Sequence, residues 1–186
     1  MNYEDLKYEN EDFVSNQDKK YPQPPLVKEP MRNDFIDLPT NFDTLPMNDC
    51  LLDILFQRKS SRVYTSSEMS LLELSYILWA CQGVKGLRGK SYATLRTVPS
   101  GGARHGFELY FVSKNIRGLV PGTYHYLPMK HQIEYLNSLD SVNEILSDSL
   151  CNQTWALKAN VIFYFSYIPN RTEWRYGSYA HRIALV

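Results

Sequence analysis

The chain has 186 residues, 44% of them hydrophobic and 13% aromatic, enough to bury one sizeable core in one domain. Its formal net charge is zero, and no apolar run approaches the roughly 18 residues of a membrane-spanning helix. The start Met1-Asn2-Tyr3-Glu4-Asp5 lacks the basic and apolar stretches of a signal peptide. Cys50, Cys81 and Cys151 are odd in number and lack CxxC spacing. They read as reduced, buried residues of a cytoplasmic protein.

Charge is unevenly spread. Residues 1–49 carry 11 acidic and 5 basic side chains and six of the ten prolines, while residues 50–186 carry 9 acidic and 15 basic side chains and all nine glycines. The first stretch is an acidic, Pro-punctuated arm, expected to be extended or disordered through residue 30. Phe35-Ile36-Asp37-Leu38-Pro39 offers apolar anchors that pin it to the body or to a partner subunit. The body, with its net +6, suits a small anionic ligand, and its positive charge is too modest and scattered for nucleic acid.

In chain order, a boundary near residue 47 precedes a helix from Cys50 to Gln57, capped by Asn48 or Asp49, with Leu51, Ile54 and Leu55 on one face. A second helix starts at Ser70, with Glu73 completing a capping box, and stops at Gly83. Residues 84–98 read as a basic loop. Phe107–Ser113, Thr123–Leu127 and Gln132–Leu136 read as strands, the first two joined through the Val120-Pro121-Gly122-Thr123 turn. Asp140–Leu150 reads as a helix capped by Asp140 or Ser141, with a short helix to follow through Trp155. Val161–Tyr167 is continuous, aromatic and β-branched, the pattern of a fully buried strand that Pro169 ends. Thr172–Val186 is predicted to be helical. Helices interleaved with hairpin-linked strands give an α+β fold.

Two stretches carry candidate chemistry. Arg58-Lys59-Ser60-Ser61-Arg62 places Arg, Ser and Arg at alternate positions. If extended, they share one face and can grip a phosphate dianion; otherwise they form a solvated basic end to the preceding helix. Arg96 to His105 contains Pro99-Ser100-Gly101-Gly102, whose two missing Cβ atoms let backbone N–H groups lie flush against something flat or anionic. The same residues also make an ordinary turn. Gly83 to Ser91 imitates a phosphate-binding P-loop, but five residues separate Gly83 from Gly89 where the motif needs four. His105, His125, His131 and His181 show no metal-ligand spacing. Trp174-Arg175-Tyr176-Gly177 forms a polar aromatic cluster after the last strand.

Taken together, Arg58–Arg62, the Leu71-to-Gly83 helix, Arg96–His105 with Glu108-Leu109-Tyr110, and Pro121-Gly122-Thr123-Tyr124-His125-Tyr126 resemble the nitroreductase superfamily and its SagB-type (thiazole/oxazole-forming) dehydrogenase branch. The resemblance covers about residues 50–186. It implies a nitroreductase-like fold, a central mostly antiparallel sheet flanked by helices, in an intertwined homodimer with one FMN at each subunit interface. Residues 1–47 would be the arm and 48–186 the FMN-binding domain. Arg58, Lys59, Ser60 and Arg62 would contact the FMN phosphate, ribityl and pyrimidine side. Pro99, Ser100, Gly101 and Gly102 would line the isoalloxazine ring from the other subunit.

The branch oxidises peptide azolines to azoles in biosynthetic complexes, which makes a modified peptide the expected substrate and other biosynthetic proteins the expected partners. It places a Lys-Tyr pair where this chain has Arg175-Tyr176. Arginine keeps its proton, so Arg175 would stabilise developing negative charge and proton transfer would fall to Tyr176 or another group. In the family a long helix and a strand follow, and the sequence ends at Val186, near the start of that helix. The resemblance thus implies a domain expected to lack the family's C-terminal helix and strand. Two other readings stand beside the first: an NAD(P)H-dependent nitroreductase or flavin reductase, and a non-catalytic subunit.

Overall fold

A computed structural model describes residues 13–90, 92–140 and 143–185. Seven strands and five helices follow in the order β1 (Phe35–Asp37), α1 (Leu51–Gln57), α2 (Leu71–Gln82), β2 (Val84–Arg88), β3 (Ala93–Arg96), β4 (Phe107–Ser113), β5 (Gly122–Leu127), β6 (Gln132–Ser138), α3 (Asn143–Ser149), β7 (Val161–Tyr167), α4 (Pro169–Tyr176) and α5 (Ala180–Leu185). Five strands form an antiparallel sheet in the order β1-β6-β5-β4-β7, and β2 pairs with β3 in a separate hairpin. The architecture is the expected α+β.

Strand alternation divides the sheet into two faces. Leu109, Phe111, Tyr124, Tyr126 and Ile133 point to one face and pack against Leu74 and Leu78 of α2. Val112 and Ile162 point to the other and pack with Leu146 of α3. Burial of Leu74 and Leu78 is complete, and truncating either to Ala removes about 2–5 kcal/mol. The capping box that starts α2 is present: Ser70 Oγ accepts the Glu73 amide at 3.2 Å, and Glu73 Oε2 accepts the Ser70 amide at 2.7 Å. Gly83 ends the helix because a Cβ there would lie 2.4 Å from Trp79 Cδ1.

Several expectations are corrected. Residues 84–98 are largely the β2–β3 hairpin, turned at Gly89 (φ 63°), because Val84 and Leu87 still face a strand partner despite three glycines and four basic residues nearby. The Val161–Tyr167 strand lies at the sheet edge, and Phe165 is 51% exposed. Pro169 does more than end that strand: it opens α4, where its missing N–H costs nothing. The terminal helix breaks at Gly177 (φ 52°), where Phe13 of the arm fills the space a Cβ would take. α1 is capped by the backbone of Cys50, whose amide donates to Asn48 Oδ1, and its apolar residues stay exposed. Cys50 and Cys151 are exposed and Cys81 is half-buried, since the first precedes an unpacked helix and the second sits in a left-handed turn. α3 begins at Asn143, and Ser141, one of its two expected caps, lies outside the described residues.

From residue 13 onward the arm is held in place, with a hydrogen-bonded turn at residues 16–20 and a largely extended course after it. Its β1 pairs Ile36 with Ile133 of β6, and Leu38 is buried in the α2-side core. Upstream, Gln17 N–H donates to the Trp174 carbonyl and Trp174 Nε1 donates to the Tyr21 carbonyl, so residues 13–21 cross α4.

Candidate functional site

The segment after β3 is a tightly held loop. Thr97 Oγ1 donates to the Trp79 carbonyl at 2.8 Å, tying the loop to the end of α2. Ser100 Oγ accepts the His105 amide at 2.9 Å, closing the loop on itself. Gly102, Ala103 and His105 all have left-handed backbones (φ 55°, 54° and 44°). Arg104 holds this shape: its Nε donates to the Gly102 carbonyl at 3.0 Å and its Nη2 to the Tyr92 carbonyl at 2.9 Å. Its guanidinium also lies over the rings of Tyr92 (4.8 Å) and Trp174 (5.3 Å), so hairpin, loop and α4 meet on one buried cation.

Beside this loop opens a cavity of about 750 Å³, whose lining includes Pro99, Ser100, Gly101, His105, Phe107 and Arg182, with Gln82, Thr172 and Ile183 among the rest. It falls in the size range of small-molecule sites. His105 is held neutral: burial, the largest influence, together with nearby Arg96, Arg104 and Arg171 pushes its pKa down to about 4, against a hydrogen bond to the Thr94 backbone. Arg96 is buried behind the wall and pushed down to about 10 by desolvation. It donates to Gln82 Oε1 (2.8 Å), Thr94 Oγ1 (3.0 Å) and the Leu26 carbonyl (3.1 Å). A region with this many fixed guanidiniums favours an anionic or electron-rich ligand.

Of the residues singled out in the sequence, Pro99, Ser100 and Gly101 line the cavity, while Gly102, Arg175 and Tyr176 meet beside it and are not among its lining residues. A Cβ on Gly102 would lie 2.7 Å from both Arg175 Cδ and Tyr176 Oη, so α4 packs directly on the glycine loop. Within one chain, the surface that approaches Gly102 is thus a pair of side chains. Arg175 Nη1 donates to Tyr92 Oη at 2.9 Å and its guanidinium lies over the Tyr176 ring at 5.7 Å. Arg58, Lys59, Ser60 and Arg62 are not among the cavity's lining residues: they follow α1 as an exposed segment. Arg62 rests over Trp155 at 5.4 Å, and Trp155 stacks on Tyr64 at 6.4 Å.

Sequence reasoning missed His105 as a cavity residue, and Gln82, Thr172 and Arg182 entirely. Only His105 had a signal, its place at the end of the glycine stretch; the other three come from α2, α4 and α5 and meet only in the folded chain. Also unforeseen is a buried row of Glu108, His125 and Glu134 on β4, β5 and β6. Arg171 of α4 pairs with Glu108 at 2.5 Å. Burial works to raise the Glu108 pKa, and bonds from His125, Arg171 and the Lys28 amide overcome it, leaving the carboxyl below its ordinary value.

A five-stranded antiparallel sheet backed by a capped helix, with a glycine loop walling a cavity of small-molecule size, defines an α+β protein. The model of the nitroreductase family matches residues 55–186, and the chain belongs to that family. It is 33% identical over 132 residues to a nitroreductase homologue of Methanocaldococcus jannaschii, an alignment covering 71% of this chain and 64% of the relative. A nitroreductase homologue of Anabaena variabilis shares its fold with a TM-score of 0.61 at 22% identity, over 87% of this chain and 30% of that one. The E. coli microcin synthetase McbBCD complex, solved with truncated pro-MccB17 bound, aligns with a TM-score of 0.51 at 18% identity, over 94% of this chain and 64% of that one. The chain thus spans just under two thirds of the M. jannaschii relative's length. Among the described residues no helix is long and apolar enough to cross a membrane.

Proposed function

We propose that two copies of this chain form an FMN-dependent, cytoplasmic oxidoreductase of the SagB-like branch, which oxidises azolines of a peptide to azoles. The observation that carries the reading is the packing of Arg175 and Tyr176 onto Gly102, the residue that follows the cavity-lining Pro99, Ser100 and Gly101. The residues present fit the cofactor. Pro99, Ser100 and Gly101 offer a rigid, low-relief wall, and the neighbouring guanidiniums favour a negative ligand. Arg58, Lys59, Ser60 and Arg62 would hold the phosphate. They are not among the cavity-lining residues of their own chain, so on this reading they would meet the ring-lining residues across a subunit boundary.

When bound, the flavin supplies two-electron redox chemistry. The chain's own residues position and protonate. Arg175 stays cationic and offers charge stabilisation, anchored by Tyr92. Tyr176 holds the exchangeable proton at Oη, beside Gly101 and Gly102. His105, kept neutral, contributes a hydrogen-bonding wall without adding charge.

A homodimer is supported by α1, whose Leu51, Leu52, Leu55 and Phe56 are exposed by 69%, 60%, 61% and 81%. An apolar helix this bare is an interface waiting for its second copy. The likeness to the microcin synthetase complex supports a peptide substrate and biosynthetic partners. The M. jannaschii relative supports a second reading, an NAD(P)H-dependent nitroreductase acting on small electrophiles.

The visible spectrum of the purified protein tests the flavin: a colourless protein that takes up no FMN on titration refutes both readings and leaves a non-catalytic subunit. Loss of two hydrogens from an azoline peptide, abolished by Tyr176→Phe, is the result expected of the first reading. Turnover of NAD(P)H with nitro compounds and none with azolines decides for the second.

A further inference from the structure

Glu108, His125 and Glu134 stand in a row on β4, β5 and β6, on the sheet face turned away from α2, and none is more than 2% exposed. His125 Nδ1 lies 2.7 Å from Glu134 Oε1, and Nε2 lies 3.2 Å from Glu108 Oε2. A contact between two bare acceptors is repulsive, so each of these contacts needs its own proton. The three groups together therefore hold two protons, one more than a neutral ring between two carboxylates. That extra proton and the Arg171 guanidinium balance the two carboxylates, which makes the buried cluster electrically neutral.

The carboxylates' further bonds go to the arm. Glu108 Oε1 accepts the Lys28 amide at 2.9 Å, and Glu134 Oε2 accepts the Met31 and Arg32 amides at 2.8 and 2.6 Å. Lys28 Nζ donates to Tyr110 Oη at 2.7 Å, and the Tyr110 ring stacks on His125 at 4.5 Å. Upstream, the same arm lies across α4 through Gln17, Tyr21 and Phe13, and Gln17 Nε2 donates to Tyr92 Oη, the atom that also receives Arg175.

We propose that residues 13–32 form a strap latched by the shared proton of the Glu108–His125–Glu134 row, and that losing this proton at alkaline pH lifts the strap from α4. Deprotonation leaves one acceptor–acceptor contact and a net negative charge where water does not reach. The other titratable and charged groups facing the row are Lys28 and Arg32 of the arm, Arg96 of β3, Tyr110 of β4 and Arg171 of α4. The four cations among them favour release of the proton, and the two carboxylates oppose it. The latch stands without the cofactor reading; only its bearing on Arg175 and Tyr176 rests on that reading.

The test is amide exchange of the full chain from about pH 6 to about pH 10, each rate divided by that of an unstructured peptide at the same pH, alongside the ¹⁵N spectrum of the histidine rings. Protection of the Lys28, Met31 and Arg32 amides should fall about tenfold in one step. The Gln17 amide and the Trp174 indole N–H should loosen in that same step, together with a change in the His125 signals. Flat protection across the range overturns the proposal, as does a neutral-pH row with a single proton. Loosening of residues 28–32 that leaves Gln17 and Trp174 protected overturns the strap. In Glu134→Gln the Met31 and Arg32 amides should be weakly protected at every pH, and a surviving wild-type step overturns the latch. Should that variant fail to fold, the wild-type series decides alone. No flavin is needed, so failure here is distinct from failure of the enzyme reading.

Discussion

Acid should unfold this protein through His105. Its ring is 6% exposed and its pKa is pushed down from 6.5 to about 4, first by burial and then by the guanidiniums behind the cavity wall. Between these two values the unfolded chain takes up a proton that the folded chain refuses. The contribution to stability is therefore present in full above pH 6.5 and is lost as pH falls toward 4. A depression of this size corresponds to about 3 kcal/mol, of which about 2.5 kcal/mol is gone by about pH 4.5. That is a large share of the roughly 5–15 kcal/mol that holds a domain together. His131, also pushed down by burial, adds in the same direction. Glu108, held below its ordinary value, contributes above the unfolded carboxyl range and loses its contribution at still lower pH. Urea unfolding at about pH 7 and about pH 4.5 measures the difference. His105→Asn is the diagnostic variant, since Asn tolerates the left-handed backbone at φ 44° and does not titrate. Between about pH 5 and about pH 6 its stability should be nearly independent of pH, apart from the His131 share. A variant that keeps the wild-type slope refutes the reasoning.

Gly102→Ala should destabilise by about 1–2 kcal/mol from its left-handed backbone alone, and should also displace Arg175 and Tyr176, which a fall in melting temperature and a weaker FMN titration would register together. Arg171→Met should cost about 3–5 kcal/mol in urea unfolding by leaving buried Glu108 without its guanidinium partner, and adding Glu108→Gln should recover part of it; no recovery would mean the loss comes from packing. The double change Leu55→Glu and Phe56→Glu should leave the single chain within about 0.5 kcal/mol of its stability and halve the mass seen by sedimentation, because both side chains are exposed in one chain. A dimer that survives it places the subunit interface elsewhere.

How much of this was legible in the sequence depended on whether the signal was local. The β4 and β7 boundaries and the Ser70–Glu73 capping box were readable because alternation and capping act within a few residues. The β2–β3 hairpin was not, since Gly86, Gly89 and the basic residues diluted a strand pattern that only cross-strand pairing completes. The edge position of β7 was equally hidden: a run such as Val161–Tyr167 suits a central strand or an edge strand shielded on one side. At the site, the glycine loop and Arg175–Tyr176 were visible as separate motifs, while their contact is a product of α4 folding back. Glu108 and Glu134 looked like ordinary polar positions of half-buried strands. Their burial follows from an arm whose backbone amides, not its side chains, do the binding.

The arm's bonds to the sheet also set an order of events. Met31 and the carboxylate that receives it are separated by 103 residues, and β1 pairs with β6 across a similar span. During synthesis at roughly 5–20 residues per second, residues 13–37 emerge on the order of 5–20 s before β6 exists to receive them. The hairpins β4–β5 and β5–β6 can close as they are made, whereas the sheet's outermost strand must wait as naked chain. Its acidic, Pro-rich composition suits that interval: charge and proline keep a waiting strand from pairing with the wrong neighbour until β6 has been made.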